Sequence, residues 1–156
     1  LVVAGPLFGA LSLAGDIGKG YLAAWLAMHY VGTPWALVFA GIAAVIGHDF
    51  SIFLGFKGGK GIATTGGVFI AIDPVFAMIL LLIWILIILV TRYFILSTLI
   101  ALGGVPIMFF VLGKRIEYIA FAGLALALAL YTHRDDIIRF VTGKELRTSQ
   151  AVKKYL

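Results

Sequence analysis

The chain has 156 residues, of which 63% are hydrophobic and 12% charged, about half the charged share of an average soluble domain. That is the composition of an integral membrane protein, and because one crossing uses about 20 residues the length allows one domain, residues 1–156, with short connections. The lack of cysteine excludes disulfides, thiolate metal ligands and a thiol nucleophile, and the net charge of +5 lies in loops without the aromatic and basic interleaving of a nucleic-acid surface.

In chain order, apolar runs predict helices over about 5–30, 35–46, 62–72, 75–91, 93–112 and 118–131, since lipid requires a backbone whose hydrogen bonds are satisfied internally. The expected fold class is therefore all-α, a polytopic transmembrane helix bundle. In the first run, Asp16 and Lys19 lie three residues apart on one helical face. Ionisable groups inside a membrane segment mark a polar cavity or a mutually neutralised pair that holds helices in register. The second run is expected to continue towards His48, a residue suited to orienting a loop, binding a phosphate oxygen or acting as a base. The Ile62 run is too short for a full crossing and reads as a half-length or inserted element.

Between those two runs lies GHDFSIFLGFKGGKGIATT, residues 47–65. Gly58, Gly59 and Gly61 can take positive φ and present consecutive N–H groups to an anion, the following helix offers its N-terminus with Thr64 and Thr65, and Lys57 and Lys60 add charge. A glycine-rich hinge with membrane-flanking lysines would read in the same way. The loop is not a Walker A sequence, because Leu54 replaces the first glycine and Gly61 replaces the Ser/Thr after the lysine. Phe50, Ile52, Phe53 and Phe56 are expected to press the loop into the membrane interface.

Charge asymmetry decides the expected topology. If the Ile62 segment crosses, one side holds Lys57, Lys60, Arg92, Arg134, Arg139, Lys144, Arg147, Lys153 and Lys154 and the other only Lys114 and Arg115. Six crossings with a cytoplasmic C-terminus follow. They bring the 47–61 loop, Arg92 with the nearby Ser97, and the 132–147 segment to one face, and the turns at Asp73-Pro74 and 113–117 to the other. The segment THRDDIIRFVTGKELR is expected to extend the last helix, with His133 and Asp136 at i, i+3 and Asp135 and Arg139 at i, i+4. Three histidines in separate segments, without HExxH, give no metal site, and no cofactor motif is present.

Taken together, GDIGKG, GHDFSIFLGFKGGKGIAT, TRYFILST and HRDDIIRFVTGKE resemble, in this order and over essentially the whole chain, the acyl-phosphate:glycerol-3-phosphate acyltransferases (PlsY-type). The resemblance implies a multi-pass enzyme of the bacterial inner membrane with a cytoplasmic active site. Such an enzyme moves a fatty acyl group from acyl phosphate to the 1-position of glycerol 3-phosphate, giving lysophosphatidic acid and inorganic phosphate at the start of phospholipid synthesis. Its partners would be these two substrates and membrane lipid, not nucleic acid. The HxxxxD signature of other glycerol-phosphate acyltransferases is missing, since Pro34, Phe53 and Ile138 stand five residues after His29, His48 and His133. By the resemblance, Lys60 with its glycines corresponds to the phosphate-binding loop and His133 with Asp136 to the third motif. Lys60, His133 and Asp136 are the expected catalytic residues. His48, Lys57, Gly58, Gly59, Gly61, Thr64, Asp16, Lys19 and Ser97 are the expected substrate-binding residues.

Three departures accompany it. The family's first helix and GSGNxGAxN loop are expected upstream of Leu1, giving seven spans in an intact member. Asp136 replaces a usual asparagine and Ser51 a usual proline. An anion or lipid-phosphate transporter, with the same loop as a substrate gate, and a noncatalytic membrane scaffold are the alternatives from other classes.

Overall fold

The computed structural model describes residues 5–150, with side chains from residue 7 onward, so the basic pair Lys153 and Lys154 lies outside the described residues. Within them the chain is all-helical: α1 (Gly5–Val31), α2 (Pro34–Asp49), a short 3₁₀ turn (Ile52–Leu54), α3 (Ile62–Ile72), α4 (Pro74–Thr91), α5 (Phe94–Val111), α6 (Ile116–Thr132) and α7 (Arg134–Val141).

The helix boundaries follow from local chemistry. Thr33 caps α2 by accepting the Ala36 N–H at 3.3 Å, and Pro34 sits at the first position, where no amide donor is needed. Asp73 does the same for α4, accepting the Phe76 N–H at 2.9 Å ahead of Pro74. Arg92 ends α4 in the left-handed conformation at φ 63°.

α3 lies at the centre of the packing. Its Phe69 meets Phe76, Phe109 and Phe121 edge-on at centroid distances of 6.3, 6.0 and 5.5 Å, and Ala24, Leu37, Val38, Val105 and Ala122 complete the core around it. A Cβ at Gly20 would overlap the Thr64 carbonyl, and one at Gly67 would overlap the Ile17 carbonyl. α1 and α3 therefore touch backbone to backbone, as small residues allow between membrane helices. In contrast, α4 buries only Phe76 and exposes Val75, Met78, Leu82, Leu86, Leu89 and Val90, a face suited to lipid.

Among the described residues, three helical segments, Pro34–Leu54, Pro74–Thr91 and Phe94–Val111, are long and apolar enough to cross a membrane, or four if α6 and α7 form one broken span. α1 has the length but carries Asp16 and Lys19, and α3, at 11 residues, is about 16 Å long. The expected helix extension after Tyr131 is corrected by the structure. The chain bends by 64° between α6 and α7, and His133 stands at the corner. Hydrogen bonds fix the two ends of the bundle. Lys114 Nζ meets Asp73 Oδ2 at 2.7 Å, tying two turns at one end. At the other end the 50–61 loop contacts α7 through Lys60 and Asp136, and the Thr148 N–H reaches the Arg92 carbonyl at 2.9 Å.

Candidate active site

Past Asp49 the chain makes the 3₁₀ turn, passes through left-handed residues at Gly55 and Phe56 (φ 60° and 62°) and doubles back over the end of α2. There the Gly58 N–H donates to the Asp49 carbonyl at 3.0 Å and the Gly59 N–H to the His48 carbonyl at 3.2 Å. The expected anion nest is thus corrected at two positions. Gly58 and Gly59 do not take positive φ, and their donors are spent on helix-end carbonyls that otherwise lack partners. Glycine serves there for close approach: a Cβ on Gly58 would overlap the His48 carbonyl, and one on Gly59 the His48 ring. Gly61 does take positive φ, 68°, and is the N-cap of α3 without any side-chain cap. Among the described residues the N–H groups of Lys60, Gly61, Ile62, Ala63 and Thr64 donate to no acceptor, so the anion-binding potential lies one to five residues beyond the glycine pair.

Lys60 points from this loop to α7, where Asp136 receives both its ammonium and the Arg139 guanidinium; Arg139 Nε also reaches Glu145 Oε2 at 2.9 Å. The expected Asp135–Arg139 pairing gives way to Asp136 because the tight corner at His133 turns Asp136 inward, leaving it buried, while Asp135 remains exposed. The buried ring of His133 has Nδ1 2.9 Å from the Ala129 carbonyl, which can only accept. Nδ1 therefore carries a proton, and Nε2, which bears a lone pair when the ring is neutral, has no hydrogen-bond partner.

A second polar group lies on the other side of the loop. Lys19 Nζ is 2.7 Å from Asp16 Oδ1, His48 Nδ1 is 3.3 Å from the same oxygen, and Lys19 also contacts that imidazole nitrogen. They line an open pocket of about 260 Å³ together with Ser12, Gly47, Ser51, Leu54 and Gly59. Asp16 and Lys19 face the C-terminal end of α2, so they line the pocket beside the loop. Gly59 packs against His48 while its neighbour Lys60 reaches α7, so adjacent loop residues turn to the two groups.

The remaining expected residues are placed differently. Thr64 is buried at the start of α3 with an unpartnered hydroxyl. Lys57 is exposed near the loop tip, where Ile52, Phe53, Leu54 and Phe56 are also exposed, Phe53 by 99%. Phe50 instead packs on Tyr131. Ser97 is fully buried and its hydroxyl is engaged, donating to the Tyr93 carbonyl at 2.8 Å and lying 2.9 Å from Thr91 Oγ1. Asp49, Arg139 and Glu145 were not among the expected site residues, though the charge pattern of residues 133–147 contains two of them. Among the described residues no cluster of three His, Cys, Asp or Glu side chains is placed to hold a metal ion.

Comparison with known proteins identifies the family. Residues 1–143 match the sequence profile of a family described as glycerol-3-phosphate acyltransferase. The chain is 39% identical to a glycerol-3-phosphate acyltransferase of Syntrophomonas wolfei, covering 92% of this chain and 73% of that protein. It is 43% identical to one from Desulforudis audaxviator, covering 93% and 73%. Among solved structures it resembles PlsY (YgiH), an integral membrane glycerol 3-phosphate acyltransferase, in its glycerol 3-phosphate form: TM-score 0.86, 38% identity, 92% of this chain and 72% of that one. The lysophosphatidic acid form gives TM-score 0.86 at 37% identity, with 92% and 75% covered.

Proposed function

The chain belongs to the glycerol-3-phosphate acyltransferase family, and on that premise we propose that it transfers a fatty acyl group from acyl phosphate to the 1-hydroxyl of glycerol 3-phosphate. The products are lysophosphatidic acid and inorganic phosphate. One observation carries this reading: Lys60, next to the uncapped N-terminus of α3, pairs with Asp136 of α7, one turn beyond the corner where His133 keeps Nε2 without a partner.

An acyl phosphate is an activated mixed anhydride, so the protein has to position two anionic substrates and stabilise a departing phosphate; it needs no nucleophile of its own. The hydroxyl oxygen of glycerol 3-phosphate attacks the acyl carbonyl carbon, the bond from that carbon to the bridging oxygen breaks, and phosphate leaves. Lys60 exchanges Asp136 for a substrate phosphate, and the N–H groups at the start of α3 contribute further donors to it. The hydroxyl proton goes to His133 Nε2 or to a substrate phosphate. His133 suits the role because Ala129 holds its other nitrogen protonated. Lys19, His48 and Asp16 line the adjoining pocket as a second polar subsite, with Lys57 at its approach.

In this reading the chain is a single acyltransferase domain of the bacterial inner membrane. α1 to α6 make six passes, the end carrying the 50–61 loop and α7 faces the cytoplasm, and the acyl chain lies among the lipid-facing helices. The test is phosphate release from palmitoyl phosphate by the purified protein, with and without glycerol 3-phosphate. Release should require glycerol 3-phosphate and nearly vanish in Lys60→Ala; near-normal turnover in that variant would remove the loop from the mechanism.

A further inference from the structure

Asp49 has no part in the chemistry above, yet its position is unusual. It is 4% exposed, and neither carboxylate oxygen has a hydrogen-bond partner. A buried carboxylate in that state is costly, so it does not stabilise the fold in the way a paired one does. The carboxylate lies directly against Gly61: a Cβ on that glycine would come within 2.7 Å of Oδ1 and 3.1 Å of Oδ2. Gly61 is the N-cap of α3, so the carboxylate faces the positive end of that helix from the protein side, and Lys19 of α1 is a cation close enough to act on it.

We infer that Asp49 is a positioning residue that sets the anion affinity of the α3 N-terminus, competing from behind Gly61 for the same positive potential that holds a substrate phosphate in front. This rests on the reading of that helix end as a phosphate site. The competition gives the site a function that tight binding would defeat, because a phosphate released by the reaction must leave. Even at the dielectric constant of bulk water, about 80, a unit charge about 6 Å away alters the affinity of a dianion by about tenfold, which sets the least effect to be expected. The effect acts through the helix end and needs no contact between Asp49 and substrate.

The test uses Asp49→Asn, which keeps shape and removes charge, and Asp49→Ser, which removes charge in a smaller side chain, alongside Lys60→Ala. Binding of sulfate, a dianion, and nitrate, a monoanion, is measured at pH 8 in detergent-solubilised protein, with folding monitored by thermal unfolding. Both position-49 variants should bind sulfate roughly tenfold tighter than wild type, nitrate should gain much less, and the KM for glycerol 3-phosphate should fall without a rise in kcat. A purely structural role would weaken binding of both anions or leave it unchanged, and either result in a folded variant overturns the inference. Sulfate binding that depends on Lys60 but ignores position 49 refutes this inference alone. Sulfate binding that ignores Lys60, or no binding by wild type, refutes the phosphate site as well.

Discussion

Gly58→Ala tests whether the loop is held by backbone contacts rather than by its lysines. A methyl group there would overlap the carbonyl oxygen of His48 and press on that of Asp49, which are helix backbone and cannot swing aside. The loop must then lift, losing the hydrogen bonds from Gly58 to Asp49 and from Gly59 to His48. At about 1 kcal/mol each, the loss is about 2 kcal/mol, roughly a 30-fold fall in the ratio of closed to open loop. Lys60 is two residues on and would leave α7, so acyl-phosphate-dependent phosphate release should drop, by up to about that factor, at unchanged protein level, measured on purified variant beside wild type. Gly66→Ala is the control. It lies within α3 with open space around its Cβ position, and the exchange should stabilise the helix by up to about 1 kcal/mol without reducing turnover. Gly58→Ala turning over at the wild-type rate would refute the reasoning, because the loop would then not need its grip on α2.

The Asp136 carboxylate holds both Lys60 and Arg139, so Asp136→Asn should free positive charge and lower the KM for glycerol 3-phosphate; an unchanged or higher KM, read from initial rates, counts against charge competition. At the opposite end, Asp73→Ala removes the α4 cap and the Lys114 pair, and should cost about 1–2 kcal/mol in thermal unfolding while leaving turnover intact. The hydrogen bond from Lys114 holds the Asp73 carboxyl below the usual carboxylate range, so its contribution is complete above the unfolded pKa of about 3.9 and is lost as pH falls through the lower folded value. Equal acid sensitivity of wild type and Asp73→Ala would disprove that assignment.

The helices were legible in the sequence because hydropathy and proline placement act locally. The short run at 62–72 and the continuation of the second helix to Asp49 both follow from the residues themselves. The corner at His133 was not legible, since THRDDIIRF has good helical spacing and contains neither proline nor glycine; the bend appears once α7 leaves the apolar bundle and Asp136 takes two cations from different segments. The loop chemistry was legible as far as composition goes. Which glycine donors remain free was not, because that depends on the two α2 carbonyls they cover. Asp49 was hidden for the same reason: next to His48 it reads as a helix-end carboxylate, and only the fold turns it beneath Gly61.

The short third helix ties these observations together. At about 16 Å, α3 is about half as long as a bilayer core of about 30 Å is thick, and its N-terminus at Gly61 is buried, with Val45 and Asp49 of α2 against it. The segment that doubles back over α2 leads into that end, and it requires glycines at 58 and 59 because no side chain fits between it and the end of α2. A helix end in that position acts on charge through a medium less polarisable than water, where its dipole has more effect than at an exposed surface. The same setting makes the charge of Asp49 behind Gly61 and that of Asp136 beside Lys60 consequential. Anion affinity at this end of the bundle is therefore governed by the two carboxylates that oppose it as much as by the lysines that favour it.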